Sequence, residues 1–566
     1  MIGVAVHASE RDIVAEFFEL FKTPWEFYRS GGQYDVLLCT SDNVCFESPR
    51  LLLIFDDKIT AFDTEREIRV ESQPGGLLVS DEGTRLPIYG RVATFPSCPN
   101  WLLKKESTQE PVAFVSFCQA TTILRVGYNL FNEVRFLLTI GQPVGNAGIP
   151  TLEHHTALLR DWISRAGLPL VEIPPVPNGH GFIACLTHDI DHPVLLNHRC
   201  DHTMFGFLYR ATVGTFLNVC RGRNSLRSLW RNLRAACLLP FVHLGMARDF
   251  WAEFDRYTEM EVGLNSTFFV IPRRDYPGRT TSGPCSPFRA CRYNLEQLLP
   301  QLRRIASAAS EVGVHGLDAW LDFDAACEER ERVSQTIGAS ELGVRMHWLH
   351  FNEKSPEILD RAGFTYDTTV GYGETVGYRA GTLQAYRPLG VTYLLELPLH
   401  VMDTALFYPV CLNLREEDAE RLVRKLLDDA ERFGGVLTIN WHDRSIAPER
   451  LWDGFYLQLL CELKRRGAWL PTAAQAVAWF RKRRAATVES RQVGASVIRI
   501  RGRTETADTL PGLTMRINQP RGGSVLEFTA SRAADFVDMP FDSTTERDIV
   551  IRTEPDWRSS ALITGN

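Results

Sequence analysis

Short apolar runs punctuate the chain from its first residues. Residues 2–7, 35–39 and 51–55 read as β-strands, and the stretch from about 11 to 28 between the first two is amphipathic, with Ile13, Phe17, Phe18, Leu20 and Phe21 at helical spacing. That order is βαβ grammar and predicts a small parallel α/β unit. A Gly- and Pro-punctuated region from about 70 to 110 reads as short strands and turns. Leu124 to Thr139 then reads as a helix, and Thr151 to Ala166 as a second one with Glu153 in its first turn. From 182 to about 482, strand-like runs at 182–187, 266–271, 311–315, 343–347, 393–398 and 434–440 alternate with helical periodicity, the pattern of a (β/α) barrel or a distorted relative. Beyond the charged segment around Arg481–Arg484, the runs Ser496–Arg501, Leu513–Ile517, Ser524–Thr529 and Asp548–Arg552 alternate as strands and predict a small β-sandwich. The expected organisation is α/β: an N-terminal α/β region over 1–178, a barrel over 179–484 with a helical insertion at 199–250, and a sandwich-like domain over 490–566.

A chain of 566 residues with 45% hydrophobic and 23% charged residues can bury several cores. Its net charge of −7 argues against nucleic acid as the main partner. Thirteen scattered cysteines without CxxC pairs suit reduced thiols. The N-terminal residues lack a basic and then long apolar stretch, and no run is long enough to span a bilayer, so a cytoplasmic location is expected. The insertion places Arg221, Arg223, Arg227, Arg231 and Arg234 beside Leu226, Leu229, Trp230 and Leu233. A basic amphipathic helix of this kind reads as a peripheral contact to an anionic membrane surface, a grip on an anionic substrate, or a solvated face packed on the barrel.

The candidate chemistry sits at the ends of the barrel runs. In Cys185-Leu-Thr-His-Asp-Ile-Asp191, strand alternation sends Asp189 and Asp191 one way and His188 and Ile190 the other. Two carboxylates at the mouth of a core strand call for a cation between or beside them. His315 and Asp318 follow the 311–315 run, and Arg345 and His347 close the 343–347 run. A guanidinium at Arg345 suits holding Asp189 ionised. The last run ends in Trp441-His442, where an imidazole can protonate a leaving group. Glu396, His400 and Asp403 lie between and can orient a histidine. Gly371–Gly377 misses dinucleotide spacing and is not read as a nucleotide loop.

With these residues in this order, the chain from 182 to 482 resembles the polysaccharide deacetylase superfamily (NodB homology, carbohydrate esterase family 4), on Thr187–Asp191, Ser266–Val270, Gly313–His315, Arg345, Glu396–Pro398 and Trp441-His442. Gly363–Thr369 with Gly377–Gly381 is similar to a branch that carries an extra N-terminal α/β region. The resemblance implies a distorted (β/α)7 barrel that hydrolyses carbon–nitrogen amide bonds, removing acyl groups from N-acylated sugars or glycan precursors. It implies Asp189 as general base, His442 as general acid aligned by Asp403, and Arg345 as the group orienting Asp189. Asp191 and His315 would bind a divalent metal, zinc by expectation, with Trp441, Tyr372 and Arg379 toward substrate. One departure matters: the superfamily's second motif carries a further histidine four residues after the first, and position 319 is Ala. Asp318 is the expected third ligand, with His188, His192 and His347 as alternatives. A metal-free amidohydrolase of the allantoinase kind, or a non-catalytic glycan-binding or assembly protein, is the competing expectation.

Overall fold

Buried apolar runs separated by helices pair in parallel in the barrel sheet and in one part of the N-terminal sheet. The computed structural model describes residues 1–40, 49–222, 224–252, 254–494, 497–503, 509–521, 536–541 and 544–550. The chain divides into two units, one of 1–179, 380–382 and 479–566, the other of 180–379 and 383–478.

In the first unit a nine-stranded sheet runs Trp25–Phe27, Ile2–Ala5, Val36–Cys39, Leu51–Phe55, Thr121–Val126, Pro111–Cys118, Trp101–Lys105, Glu71–Ser80 and Arg85–Thr94. Its first five strands are parallel and the rest antiparallel. The helix expected over 11–28 stops at Phe21, because Lys22 turns left-handed at φ 54° and residues 25–27 join the sheet edge. The helix expected from Leu124 begins only at Leu130. Thr121–Val126 is a strand, and Asn129 Oδ1 caps the helix by accepting from the Phe131 and Asn132 amides, each at 3.0 Å.

Among the described residues the C-terminal strands fall into two three-stranded sheets. Thr487–Gly494, Val497–Arg503 and Thr544–Val550 make one antiparallel sheet, while Leu513–Asn518 lies between Leu170–Glu172 and Phe536–Phe541 in another. The strand expected at 524–529 falls outside the described residues.

The second unit is built on an all-parallel half-barrel. Its strand order is Leu395–Glu396, Tyr366–Asp367, Gly343–Met346, Glu311–Gly316, Thr267–Val270, Ile183–Ile190, Val436–Asn440 and Val401–Met402. Helices such as Leu295–Ser307, Phe323–Ile337 and Glu416–Phe433 stand between successive strands and cover the sheet. Their apolar stripes close over a core that includes Leu186, Phe268, Val314, Val344 and Ile439. All six expected runs contain strands; Val401–Met402 is added at one edge of the sheet, and Tyr366–Asp367 between Gly343–Met346 and Leu395–Glu396. The insertion is helical as expected, with His202–Tyr209, a π-helical turn at Arg210–Gly214, Thr215–Cys220 and Leu226–His243.

Candidate active site

Parallel strands present their carboxyl ends on one edge, so residues that end them in register become neighbours. Thr187 pairs with Asn440, Asp189 with Phe269, and His315 with Arg345. Arg345 is wholly buried, which a guanidinium tolerates only when its donors are taken up. It donates to Asp189 Oδ1 at 3.0 Å, to Thr187 Oγ1 at 2.8 Å, and to the Thr368 carbonyl and hydroxyl at 3.2 Å each. Its plane lies 4.7 Å over the Phe269 ring. Asp189 Oδ2 accepts from Asn440 Nδ2 at 2.7 Å. Burial would raise the Asp189 pKa, but Arg345, His315 and His442 outweigh it and hold the carboxyl below its usual range.

Asp191 emerges just past the strand and faces two imidazoles. His315 Nε2 and His347 Nδ1 each stand 3.3 Å from Asp191 Oδ1, and they lie 2.9 Å from one another. The far nitrogens are both engaged by carbonyls: His315 Nδ1 with Arg345 O at 3.0 Å, His347 Nε2 with Arg289 O at 3.1 Å. A carbonyl only accepts, so these contacts assign the protons to His315 Nδ1 and His347 Nε2 and leave two lone pairs facing each other. Burial above all lowers the His347 pKa to about 3, which keeps that ring neutral. Asp191 Oδ1 itself is buried without a hydrogen-bond partner. Three electron-rich atoms within 4.8 Å, one an orphaned carboxylate oxygen, fit a divalent cation, and two imidazoles with one carboxylate form the donor set of a catalytic zinc site with an open position. Burial would also raise the Asp191 pKa, yet His347, His315 and His442 hold it well below the ordinary value.

On the other flank, His442 Nδ1 donates to Asp403 Oδ1 at 2.6 Å and the His442 amide donates to Oδ2 at 2.7 Å. Ser445 Oγ donates to the same carboxylate. His442 Nε2 lies 3.9 Å from Asp191 Oδ2. Burial pulls the His442 pKa down, but Asp403, with Asp191 and Asp189, raises it to about 10.

Two expectations are corrected. Asp318 is not with the candidate metal ligands: its carboxylate accepts from Tyr276 Oη at 2.6 Å, from the Arg279 amide at 2.6 Å and from Arg279 Nε at 2.9 Å. Trp441 has no exposed surface and stacks on Tyr456 and Phe455 at 5.1 and 5.9 Å, so it is a core residue without a face for substrate. Tyr372 is buried, and Arg379 donates to the Gly371 carbonyl at 2.9 Å while covering the Phe351 ring at 4.8 Å. His188 points to the opposite face, between Trp441 O at 2.8 Å and Glu261 Oε1 at 3.0 Å. Ala319 is buried in the core. His347, one alternative among three, is the imidazole that joins His315. Asn440, which pairs in register with Thr187, is a further polar residue of the site; its mark in the sequence is an amide closing the apolar 434–440 run.

No family model and no curated protein matches the chain. In structure the chain is similar to a Mycobacterium smegmatis protein assigned as a polysaccharide deacetylase, at 18% identity over 55% of this chain and 95% of that one, TM-score 0.33. It is similar to Puue allantoinase at 13% identity over 54% and 92%, TM-score 0.32. A Pseudomonas aeruginosa PAO1 protein also assigned as a polysaccharide deacetylase is 12% identical over 53% and 92%, TM-score 0.32. Each of these likenesses covers about half of this chain.

Proposed function

We propose that the 180–478 region is a distorted (β/α) barrel hydrolase that removes an acyl group from an N-acylated sugar or glycan precursor. The observation that carries the reading is the meeting of Asp191 Oδ1, His315 Nε2 and His347 Nδ1 beside an ionised Asp189 and the His442 imidazole. Asp191, His315 and His347 would hold a divalent ion, zinc by the chemistry of the set. When bound, such an ion supplies Lewis-acid polarisation of the acyl oxygen and acidifies water. Asp189 stays ionised at neutral pH, and its role is to take the proton from the attacking water. Arg345 and Asn440 fix both of its oxygens and so aim its remaining lone pairs. His442, held protonated by Asp403, delivers a proton from Nε2 to the departing amine. Arg379 and Tyr372 are the proposed contacts on the substrate side.

The test is acetate release from N-acetylated chitooligosaccharides by the full chain reconstituted with zinc. Turnover is expected, and Asp189→Asn is expected to lower it by about 10²–10⁴-fold with zinc content unchanged. Retained turnover in that variant removes Asp189 from the mechanism. Full activity after chelation and dialysis points to the metal-free amidohydrolase reading.

A further inference from the structure

The helical insertion that follows the Asp189–Asp191 strand end carries a surface unconnected with the proposed chemistry. Between His202 and Arg248 the sequence holds seven arginines and no lysine, aspartate or glutamate, in a chain whose net charge is −7. The two helical arms, 202–220 and 226–243, share a small core: Met204, Phe207 and Ala211 with Ala235, Leu239 and Val242. Asn232 Nδ2 donates to Thr215 Oγ1 at 2.7 Å and pins the arms together. That core uses one stripe of the second arm.

The opposite stripe is apolar too. Leu226, Trp230, Leu233, Phe241 and Leu244 recur at three- and four-residue steps or their multiples, so they lie along one side of the helix. All are exposed, Trp230 to 73% and Leu244 to 70%. The first arm repeats this with Phe205, Tyr209, Val213 and Phe216. Arg227, Arg231 and Arg234 follow the same steps one residue on, all exposed, so a row of guanidinium groups borders the apolar stripe. A solvated face would carry its charges where Trp230 and Phe241 stand; an apolar surface of this extent marks a contact.

We infer that this hairpin docks on an anionic lipid bilayer, lying in the interface without crossing it. No helix among the described residues is long and apolar enough to span a membrane. The charge selects the occupant. A second copy related by a two-fold axis would set arginine rows against each other, with no carboxylate in the segment to pair them. Anionic headgroups neutralise each guanidinium, the arginine stems lie along the acyl boundary, and the Trp230 and Tyr209 rings suit the headgroup layer. The inference rests on this face alone and does not depend on the proposed activity.

Flotation of the full chain with vesicles tests it. With equal parts phosphatidylglycerol and phosphatidylcholine the protein is expected to float, and with phosphatidylcholine alone or in ~0.5 M NaCl to bind about tenfold less or weaker still. Trp230→Ser with Phe241→Ser, and Arg227→Glu with Arg231→Glu and Arg234→Glu, are each expected to reduce binding about tenfold with unchanged far-ultraviolet circular dichroism. Absence of wild-type flotation with the anionic vesicles overturns the inference, as does equal binding by the arginine variant. A lipid-free dimer that Trp230→Ser dissociates overturns it in favour of self-association.

Discussion

A neutral imidazole has one proton to give, and for His347 the Arg289 carbonyl receives it. That single contact aims Nδ1 at Asp191 and makes His347 the candidate third ligand in place of a side chain at position 319. His347→Ala is therefore expected to abolish zinc retention after gel filtration, measured by elemental analysis, whereas Asp318→Asn keeps the metal. The reverse pattern would return the third-ligand role to Asp318. Arg289 acts at one remove. Its guanidinium donates to the carbonyls of Pro277, His347 and Leu317 at 2.6, 2.7 and 3.2 Å, tying together the segments that follow the strands Glu311–Gly316 and Gly343–Met346. Arg289→Gln is expected to weaken zinc affinity by about 10–100-fold, read from competition with a chromophoric chelator, without removing a ligand. Asp189, Asp191, His315, Arg345 and His442 can be picked out in the chain because each lies at, near or just past the end of an apolar run. His347 was ambiguous because three nearby histidines had equal claim in one dimension. Asp318 misled because the tyrosine and arginine that occupy it lie about forty residues upstream, at Tyr276 and Arg279.

At the level of elements, the barrel strands Ile183–Ile190, Thr267–Val270, Glu311–Gly316, Gly343–Met346 and Val436–Asn440 show as apolar runs, whereas Tyr366–Asp367 and Val401–Met402 are two residues long and too short to show a period. The helix expected over Leu124–Thr139 runs two elements together: Thr121–Val126 is a strand, parallel to Leu51–Phe55 and antiparallel to Pro111–Cys118, and Gly127 with the Asn129 cap separates it from the helix that follows. The next helix, Thr151–Arg165, carries a buried titrating group into the first unit. His155 lies against Tyr128, its Nδ1 3.2 Å from the phenol oxygen, and burial lowers its pKa from 6.5 to about 3. An unfolded chain takes up this proton near pH 6.5, while the fold excludes it until about 3, so the contribution is whole above 6.5 and is lost as pH falls through that window. Between pH 7 and 4 the loss is on the order of 3 kcal/mol. Urea unfolding of the full chain followed by near-ultraviolet circular dichroism should show His155→Gln flattening that decline. An unchanged slope in the variant assigns the acid sensitivity to other groups.

The first unit is made from both ends of the chain. Arg483, wholly buried, donates through Nε and Nη2 to the Ile173 carbonyl at 2.9 and 2.7 Å and through Nη2 to the Leu20 carbonyl at 2.9 Å. Leu513–Asn518 pairs antiparallel with Leu170–Glu172, burying Leu513, Met515 and Ile517. Local patterning identified 513–517 as a strand but carries no information about a partner more than three hundred residues away, which is why a separate sandwich was expected. The junction has a polar lock that makes the difference measurable. Buried Glu172 accepts from Arg160 Nε and Nη2 at 2.8 Å each and from Asn518 Nδ2 at 3.0 Å. Burial would raise its pKa, but Arg160 and Asn518 hold it below the usual value. Asn518→Asp replaces that donor with a second buried carboxylate against Glu172, at a cost of about 3–5 kcal/mol. That is a large part of the ~5–15 kcal/mol that stabilises a typical domain. Limited proteolysis of the full chain should then cut within residues 1–179 far faster in Asn518→Asp than in wild type. A truncation after Ala485 should do the same, since each large side chain it uncovers contributes about 1.5–3 kcal/mol. If both proteins resist cleavage as wild type does, the C-terminal strands are an independent appendage and the N-terminal unit closes without them.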